Sequence, residues 1–78
     1  MLKKHYDRIT LKTVLYFVSA AQKIKIMKYK YPSEPATEIL FAGTYSRENR
    51  AAFTKYEYSE VMDIQARGDV LVIEVKGF

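Results

Sequence analysis

The sequence predicts an α+β domain in which one N-terminal helix packs on a twisted, mostly antiparallel four-stranded sheet, open or curled toward a half-barrel. Two observations predict this class. Apolar residues recur at helical spacing over residues 11–21, and four later segments show the alternation or the apolar runs of β-strands. With 78 residues the chain is long enough for one domain only. We expect that domain to cover 1–78, with 1–9 as a flexible N-terminal segment.

The helix is predicted to begin after Thr10, whose hydroxyl can accept a hydrogen bond from a free amide of the first turn. The apolar positions that define its buried face are Leu11, Val14, Leu15, Val18 and Ala21. Because this segment is rich in aromatic and β-branched residues, packing must hold it helical more than intrinsic propensity does.

The first predicted strand covers 23–31, and its apolar side changes within the strand. Ile24 and Ile26 share one face, whereas Met27, Tyr29 and Tyr31 fall on the other. Two interpretations stay open. A β-bulge near Met27 would turn the later apolar side chains back to the core, or that end of the strand faces a partner.

Further strands are predicted over 39–46, 58–66 and 70–75, after a loop at 32–35. Residues 47–54 are ambiguous and could form one or two helical turns capped by Ser46. The last strand is apolar on nearly both faces, which is typical of a central strand, and Gly68 favours a tight turn before it because glycine adopts positive φ at little cost. The residues expected in the core are Leu11, Val14, Leu15, Val18, Ile24, Ile26, Phe41, Ile64, Leu71, Ile73 and Val75.

Composition limits the class of protein. Apolar residues make up 49% of the chain and cysteine is absent, so we expect a folded domain without disulfides or a cysteine-based zinc site. The basic N-terminal stretch is followed by an apolar run at 14–18, but this run is short, contains Tyr16 and follows the acidic Asp7, so we do not interpret it as a secretion signal. No apolar stretch is long enough to span a bilayer. We therefore expect a cytoplasmic protein that makes no membrane contact.

Charge is distributed unevenly along the chain. Residues 1–31 carry a net charge of +7 and residues 32–78 a net charge of −3. Such asymmetry can mark a surface for nucleic acid or membrane. It also arises when basic and acidic strands lie side by side and pair across a sheet, and this second interpretation is the one we favour.

The residues needed for catalysis are largely missing. His5 is the single histidine and precedes the helix, and the sequence contains no glycine-rich phosphate loop and no nucleophile elbow. The acidic residues Glu57, Glu60 and Asp63 do not converge on one face of a strand. We predict a protein that is not an enzyme and that uses no cofactor and no metal.

The segment with a specific functional pattern is 23–31, where lysines alternate with apolar and aromatic residues. Three interpretations fit this pattern. They are an edge strand protected from aggregation by lysine, a nucleic-acid-binding strand that tracks phosphates while its rings stack on bases, and a contact surface in a homodimer or with another protein. The candidate contact residues are Lys25, Met27, Lys28, Tyr29, Lys30 and Tyr31.

A pattern of short motifs runs along nearly the whole chain. It comprises Thr10-Leu11-Lys12, Ile24 and Ile26, Leu40-Phe41-Ala42-Gly43, Val61 and Ile64, and Asp69, Leu71, Ile73 and Val75. In this order the chain resembles small proteins of prophages and conjugative elements in Gram-positive bacteria, although its basic, tyrosine-rich segment 23–31 departs from the acidic strand and turn of that group. The resemblance implies an accessory role in mobile DNA, and it implies no activity and no site residues.

Overall fold

The computed structural model describes residues 9–30 and 36–76, which form two short helices and a four-stranded sheet. In chain order these are helix α1 (Leu11–Tyr16), strands β1 (Lys23–Lys28) and β2 (Ile39–Thr44), a 3₁₀ turn (Arg47–Asn49) that continues into helix α2 (Arg50–Thr54), and strands β3 (Val61–Arg67) and β4 (Val70–Val75). The predicted α+β class, with little helix on one mixed sheet, is confirmed.

The strands lie in the order β2-β1-β4-β3. The pairs β1–β2 and β3–β4 are antiparallel, and the central pair β1–β4 is parallel. The prediction that 70–75 forms a central strand is confirmed, and the strand has the predicted first and last residues. Its buried residues point to both faces, since Val72 on one side and Ile73 and Val75 on the other are all buried.

The connection between β2 and β3 crosses the sheet from one edge strand to the other, and α2 lies within it. Helix α1 is tied to both ends of this connection by backbone hydrogen bonds. At its start the amide of Leu11 donates to the carbonyl of Ser59 at 2.9 Å, and beyond its end the amide of Ala21 donates to the carbonyl of Tyr45 at 2.9 Å. Both helices therefore pack on the same face of the sheet, which we call the helix face.

The core lies between the helix face and the two helices. The buried residues that form one cluster there are Leu11, Leu15, Ile24, Ile26, Phe53, Ile73 and Val75. Of the residues predicted for the core, Val14, Val18, Phe41 and Leu71 are partly buried and pack against this cluster. The prediction for Ile64 is wrong, because its side chain is 46% exposed. Ile64 shares the helix face with Ile73, but it lies on the edge strand β3.

Helix α1 is shorter than the predicted 11–21. Thr10 caps its start as predicted, since its hydroxyl accepts from the amide of Thr13 at 3.3 Å, but the helix ends at Tyr16. The chain then turns through Ala21, which has a φ of 72°, to place its amide against Tyr45 and begin β1. The six residues between Tyr16 and Lys23 thus form the turn into β1, which the predicted helix over 11–21 left no room for.

Segment 47–54, which is ambiguous in sequence, forms helical turns, one of the possibilities considered for it. Ser46 stands at the predicted cap position, but its side chain makes no capping hydrogen bond. The outer strand bounds differ from the predictions. Strand β1 ends at Lys28 rather than at 31, β2 ends at Thr44 rather than at 46, and β3 begins at Val61 rather than at 58.

Candidate functional site

The candidate contact residues of 23–31 do not share one surface. Lys25 and Met27 lie on the face of the sheet opposite the helices, which we call the back face. Lys28 is paired with the buried Val75 and so lies on the helix face, half-buried. Tyr29 is half-buried just beyond the strand, where its amide still donates to the carbonyl of Val75 at 2.7 Å, and Lys30 is exposed. Tyr31 lies outside the described residues.

Strand β1 is not an edge strand. It is hydrogen-bonded to β2 on one side and to β4 on the other, so the interpretation of its lysines as protection of a free edge is wrong. A register irregularity does occur between Ile26 and Met27, at the predicted position, but the additional residue is Leu40 of β2. The pairing of β1 with β4 runs through without a shift. Met27 therefore stays on the back face and does not turn into the core.

The back face consists of three rows of four residues that run across the sheet from β2 to β3. The first row is Thr44, Lys23, Val70 and Arg67; the second is Ala42, Lys25, Val72 and Gln65; the third is Ile39, Met27, Glu74 and Asp63. Its cations stand in the first two rows and its anions in the third. The back face is thus basic at one end of the strands and acidic at the other.

Most of these charges form no salt bridge with another described residue. Within residues 9–30 and 36–76 the sole salt bridge is between Lys23 and Asp69, whose Nζ and Oδ2 atoms are 3.1 Å apart. This bond lowers the pKa of the Asp69 carboxyl, first through the hydrogen bond from Lys23 and then through its charge. This salt bridge joins the basic part of the chain to the acidic part, in the manner expected if the two parts pair across the sheet. A single pair does not account for the uneven distribution of charge.

Along β3 the polar side chains of the back face bond to one another. The amide nitrogen of Gln65 donates to Asp63 at 2.9 Å, and the guanidinium of Arg67 donates to the amide oxygen of Gln65 at 2.8 and 3.1 Å. Gln65 therefore separates Arg67 from Asp63 and holds both side chains in place. Each keeps its charge without an ionic partner among the residues that the structure describes.

A second concave site lies on the helix face, between α1 and the segment 45–57. It is a cleft of about 420 Å³. Leu15, Tyr45 and Phe53 line it, and Lys12, Arg47 and Arg50 add three cations. The sequence does not predict this cleft, because segment 47–54 shows no clear periodicity. Phe53, the buried residue of that segment, is also absent from the predicted core.

The structure gives no sign of a metal site in the part it describes. Residues 9–30 and 36–76 contain no group of three or more histidine, cysteine, aspartate or glutamate side chains placed to hold a metal ion. His5 lies outside these residues. None of the described helices is both long enough and apolar enough to cross a bilayer.

Comparison of the chain with protein-family models, with curated proteins and with solved structures finds no match in any of the three.

Proposed function

We propose that the protein is a non-enzymatic interaction module that acts as a homodimer, with two copies packed face to face through the back face of the sheet. The observation that carries this proposal is the separation of charge along the strands of that face, basic at one end and acidic at the other. The resemblance to proteins of prophages and conjugative elements adds the proposal that the module serves as an accessory protein of a mobile element.

The geometry of a two-fold dimer uses this separation. In a face-to-face dimer the two-fold axis lies between the sheets. If the axis runs across the strands at the level of the middle row, the basic end of each copy covers the acidic end of the other. Arg67 of one copy then lies over Asp63 of the second copy, twice in each dimer. Complementary charges of this kind fix the register of two surfaces and reject wrong partners.

Apolar side chains add to the contact. Ile39 is 52% exposed and stands beside Met27 in the third row, and Val72 lies buried in the middle row. Methionine and other apolar side chains favour interface centres, which are depleted in charge. Neither of the described helices covers this side of the sheet, and a second copy brings both an apolar surface and the two contacts of Arg67 with Asp63.

The size of the face makes the expected dimer a weak one. Strands of six residues are about 20 Å long, and four strands span about 19 Å, so each copy offers a footprint of about 400 Å². Two copies would bury about 800 Å² in total, which is below the about 1,200 Å² of stable specific interfaces and in the range of transient ones. We therefore expect a dimer that dissociates on dilution.

Sedimentation velocity over a concentration series tests the proposal. Arg67→Glu places a carboxylate against Asp63 of the second copy and should convert the protein to a folded monomer. The double variant Arg67→Glu with Asp63→Arg reverses the pair and should restore the dimer. Arg50→Glu makes the same change of charge on the helix face and should leave the dimer intact.

Three results would contradict the proposal. The wild-type protein could remain a monomer at the highest concentration reached. Arg50→Glu could dissociate the dimer as strongly as Arg67→Glu, which would show an effect of net charge only. The double variant could stay monomeric while retaining the wild-type circular dichroism spectrum, which would place Arg67 and Asp63 outside the contact.

A further inference from the structure

We propose that the cleft between α1 and the segment 45–57 binds a nucleotide, with its cations taking the phosphate and its apolar floor taking the base. This inference is independent of the proposed dimer, because the cleft lies on the helix face and the dimer uses the back face. Three features carry it: cations without partners, a floor of ring and aliphatic side chains, and an exposed tyrosine at the opening.

The cations of the cleft have no carboxylate partner. Lys12, Arg47 and Arg50 are exposed, and among the described residues no carboxylate forms a salt bridge with any of the three. The guanidinium groups of Arg47 and Arg50 also make no hydrogen bond there, while the Lys12 ammonium stands 5.5 Å from the centre of the Tyr58 ring. Glu57 is the one carboxylate in the lining, so the cleft keeps an excess of two positive charges.

This excess matches a phosphate group. A guanidinium presents its donors in a planar fork that fits phosphate oxygens, and bonds of this kind are stronger than those between neutral groups. Ser46 also lines the cleft, and its hydroxyl makes no capping hydrogen bond, so it can donate to a phosphate oxygen. Two arginines and one lysine provide more charge than a single carboxylate ligand would need.

The floor of the cleft suits a flat ring. Leu15 and Phe53 are buried, and the Tyr45 ring lies 5.6 Å from the Phe53 ring at an angle of 48°. At the opening, Tyr16 is 82% exposed and can stack on one side of a base, as aromatic side chains do in single-strand binding proteins. The volume of about 420 Å³ falls within the range of small-molecule sites.

Two sources can provide this chemistry: a free nucleoside monophosphate, or the phosphorylated end of a single strand of nucleic acid. Both present one phosphate and one base to the cleft. The cleft is open to solvent at Tyr16, which leaves room for further nucleotides. The experiment therefore has to compare the two sources directly.

The test is a titration of the isotope-labelled chain with adenosine monophosphate, followed by nuclear magnetic resonance of the backbone amides. We expect shifts concentrated at residues 12–16 and 45–57, with a dissociation constant of about 1 mM or lower. Adenosine alone and inorganic phosphate alone should each bind at least about tenfold more weakly, because each makes only half of the contacts. The source is identified with a 5′-phosphorylated oligothymidylate, its 5′-hydroxyl form and thymidine monophosphate. If the phosphorylated oligonucleotide binds more tightly than both of the others, the strand end is the source. If it binds with the same affinity as the mononucleotide, the free nucleotide is the source.

Single variants separate a built site from general attraction to a basic protein. Arg50→Gln and Arg47→Gln should each weaken binding of adenosine monophosphate about tenfold, because each removes charged hydrogen bonds to the phosphate. Tyr16→Ala should weaken adenosine monophosphate but leave phosphate binding unchanged. Lys76→Gln removes the same charge from an exposed position that neither lines the cleft nor stands in the rows of the back face, and it should leave the dissociation constant within about twofold.

The inference is overturned if adenosine monophosphate at about 10 mM, well above the dissociation constant of a millimolar ligand, shifts no amide of the cleft. It is also overturned if Lys76→Gln weakens binding as much as Arg50→Gln does, or if phosphate alone binds as tightly as the nucleotide. All the substituted side chains are exposed, so circular dichroism of each variant should match the wild type. Oligomeric state, measured on the same samples, shows separately whether the proposed dimer holds.

Discussion

Replacing Phe53 by alanine tests whether segment 45–57 is an integral part of the core. Phe53 is 4% exposed and is the buried residue that α2 contributes. Its ring lies 5.3 Å from the Phe41 ring at 67° and 5.6 Å from the Tyr45 ring at 48°. The substitution therefore removes a buried side chain and two aromatic pairs at once.

The expected loss can be worked from these contacts. Burial of a phenylalanine side chain contributes about 1.5–3 kcal/mol, and each aromatic pair adds about 0.5–1.5 kcal/mol. Together these place the cost of Phe53→Ala at about 3–5 kcal/mol, the usual range for such truncations. A domain of 78 residues has a total stability of about 4–12 kcal/mol, so the substitution should remove at least about a quarter of it.

Thermal unfolding followed by far-ultraviolet circular dichroism measures this loss. The Tm should fall by about 12 °C or more, and the thermal transition should lose cooperativity if the domain is only marginally stable. Phe17→Ala is the matched control, because Phe17 is 79% exposed and pairs with the Tyr16 ring on the surface; its cost should stay below about 1 kcal/mol. Equal, small shifts in both variants would refute the placement of Phe53 in the core.

Three further predictions concern single side chains. Ile73→Ala should cost about 2–5 kcal/mol, whereas Ile64→Ala, on the same face but half exposed, should cost clearly less; chemical unfolding of both variants measures the difference, and equal losses would contradict the burial. Ala21→Gly should raise the free energy of unfolding by about 0.5–1 kcal/mol, since it relieves the positive φ of an L-residue at some cost in chain entropy, and a lower Tm would show that the turn is not strained. The pKa of Asp69 is lowered by Lys23, so its ion pair stabilises the fold above the ordinary carboxyl pKa of about 4 and is lost as pH falls below it. Asp69→Asn should therefore reduce the fall in Tm between neutral and acidic pH, an effect weakened by salt, and an unchanged pH profile would exclude this contribution.

The parts of the fold that were predictable from sequence are those in which local pattern and tertiary position agree. Strand β4 was predicted with its bounds because residues buried on both faces produce a continuous apolar run. Thr10 was predicted as a cap because capping depends only on the adjacent turn. The mixed character of the sheet was not predicted in detail, since the parallel pairing of β1 with β4 joins residues distant in sequence and leaves no local signal.

The errors have physical reasons in particular residues. Ile64 has the apolar side chain and the spacing of a core residue, but its burial depends on how far the helices extend over the edge strand. Phe53 lies in a segment of five helical residues, too short to show a period. In 23–31 the candidate contact residues combine positions from both faces of a strand, and in the sheet Lys25 lies on the back face and Lys28 on the helix face. The cleft was not predictable because it is formed by two segments about thirty residues apart.

The parallel pairing of the central strands has a consequence for how the chain folds as it is synthesised. Lys23 is paired with Val70, and the ladder continues to Lys28 and Val75. Closing the loop between these two strands costs about 3 kcal/mol of chain entropy. The contacts of β1 with β4 that offset this cost cannot begin before Val70 has been made, and they are complete only with Val75. The β1–β2 hairpin can form earlier, but until β4 inserts beside it one side of β1 keeps unpaired backbone groups next to Ile24 and Ile26. During synthesis this half-built sheet is an open edge that can pair with another chain, so completion of the last strand ends the period of greatest exposure to misassembly.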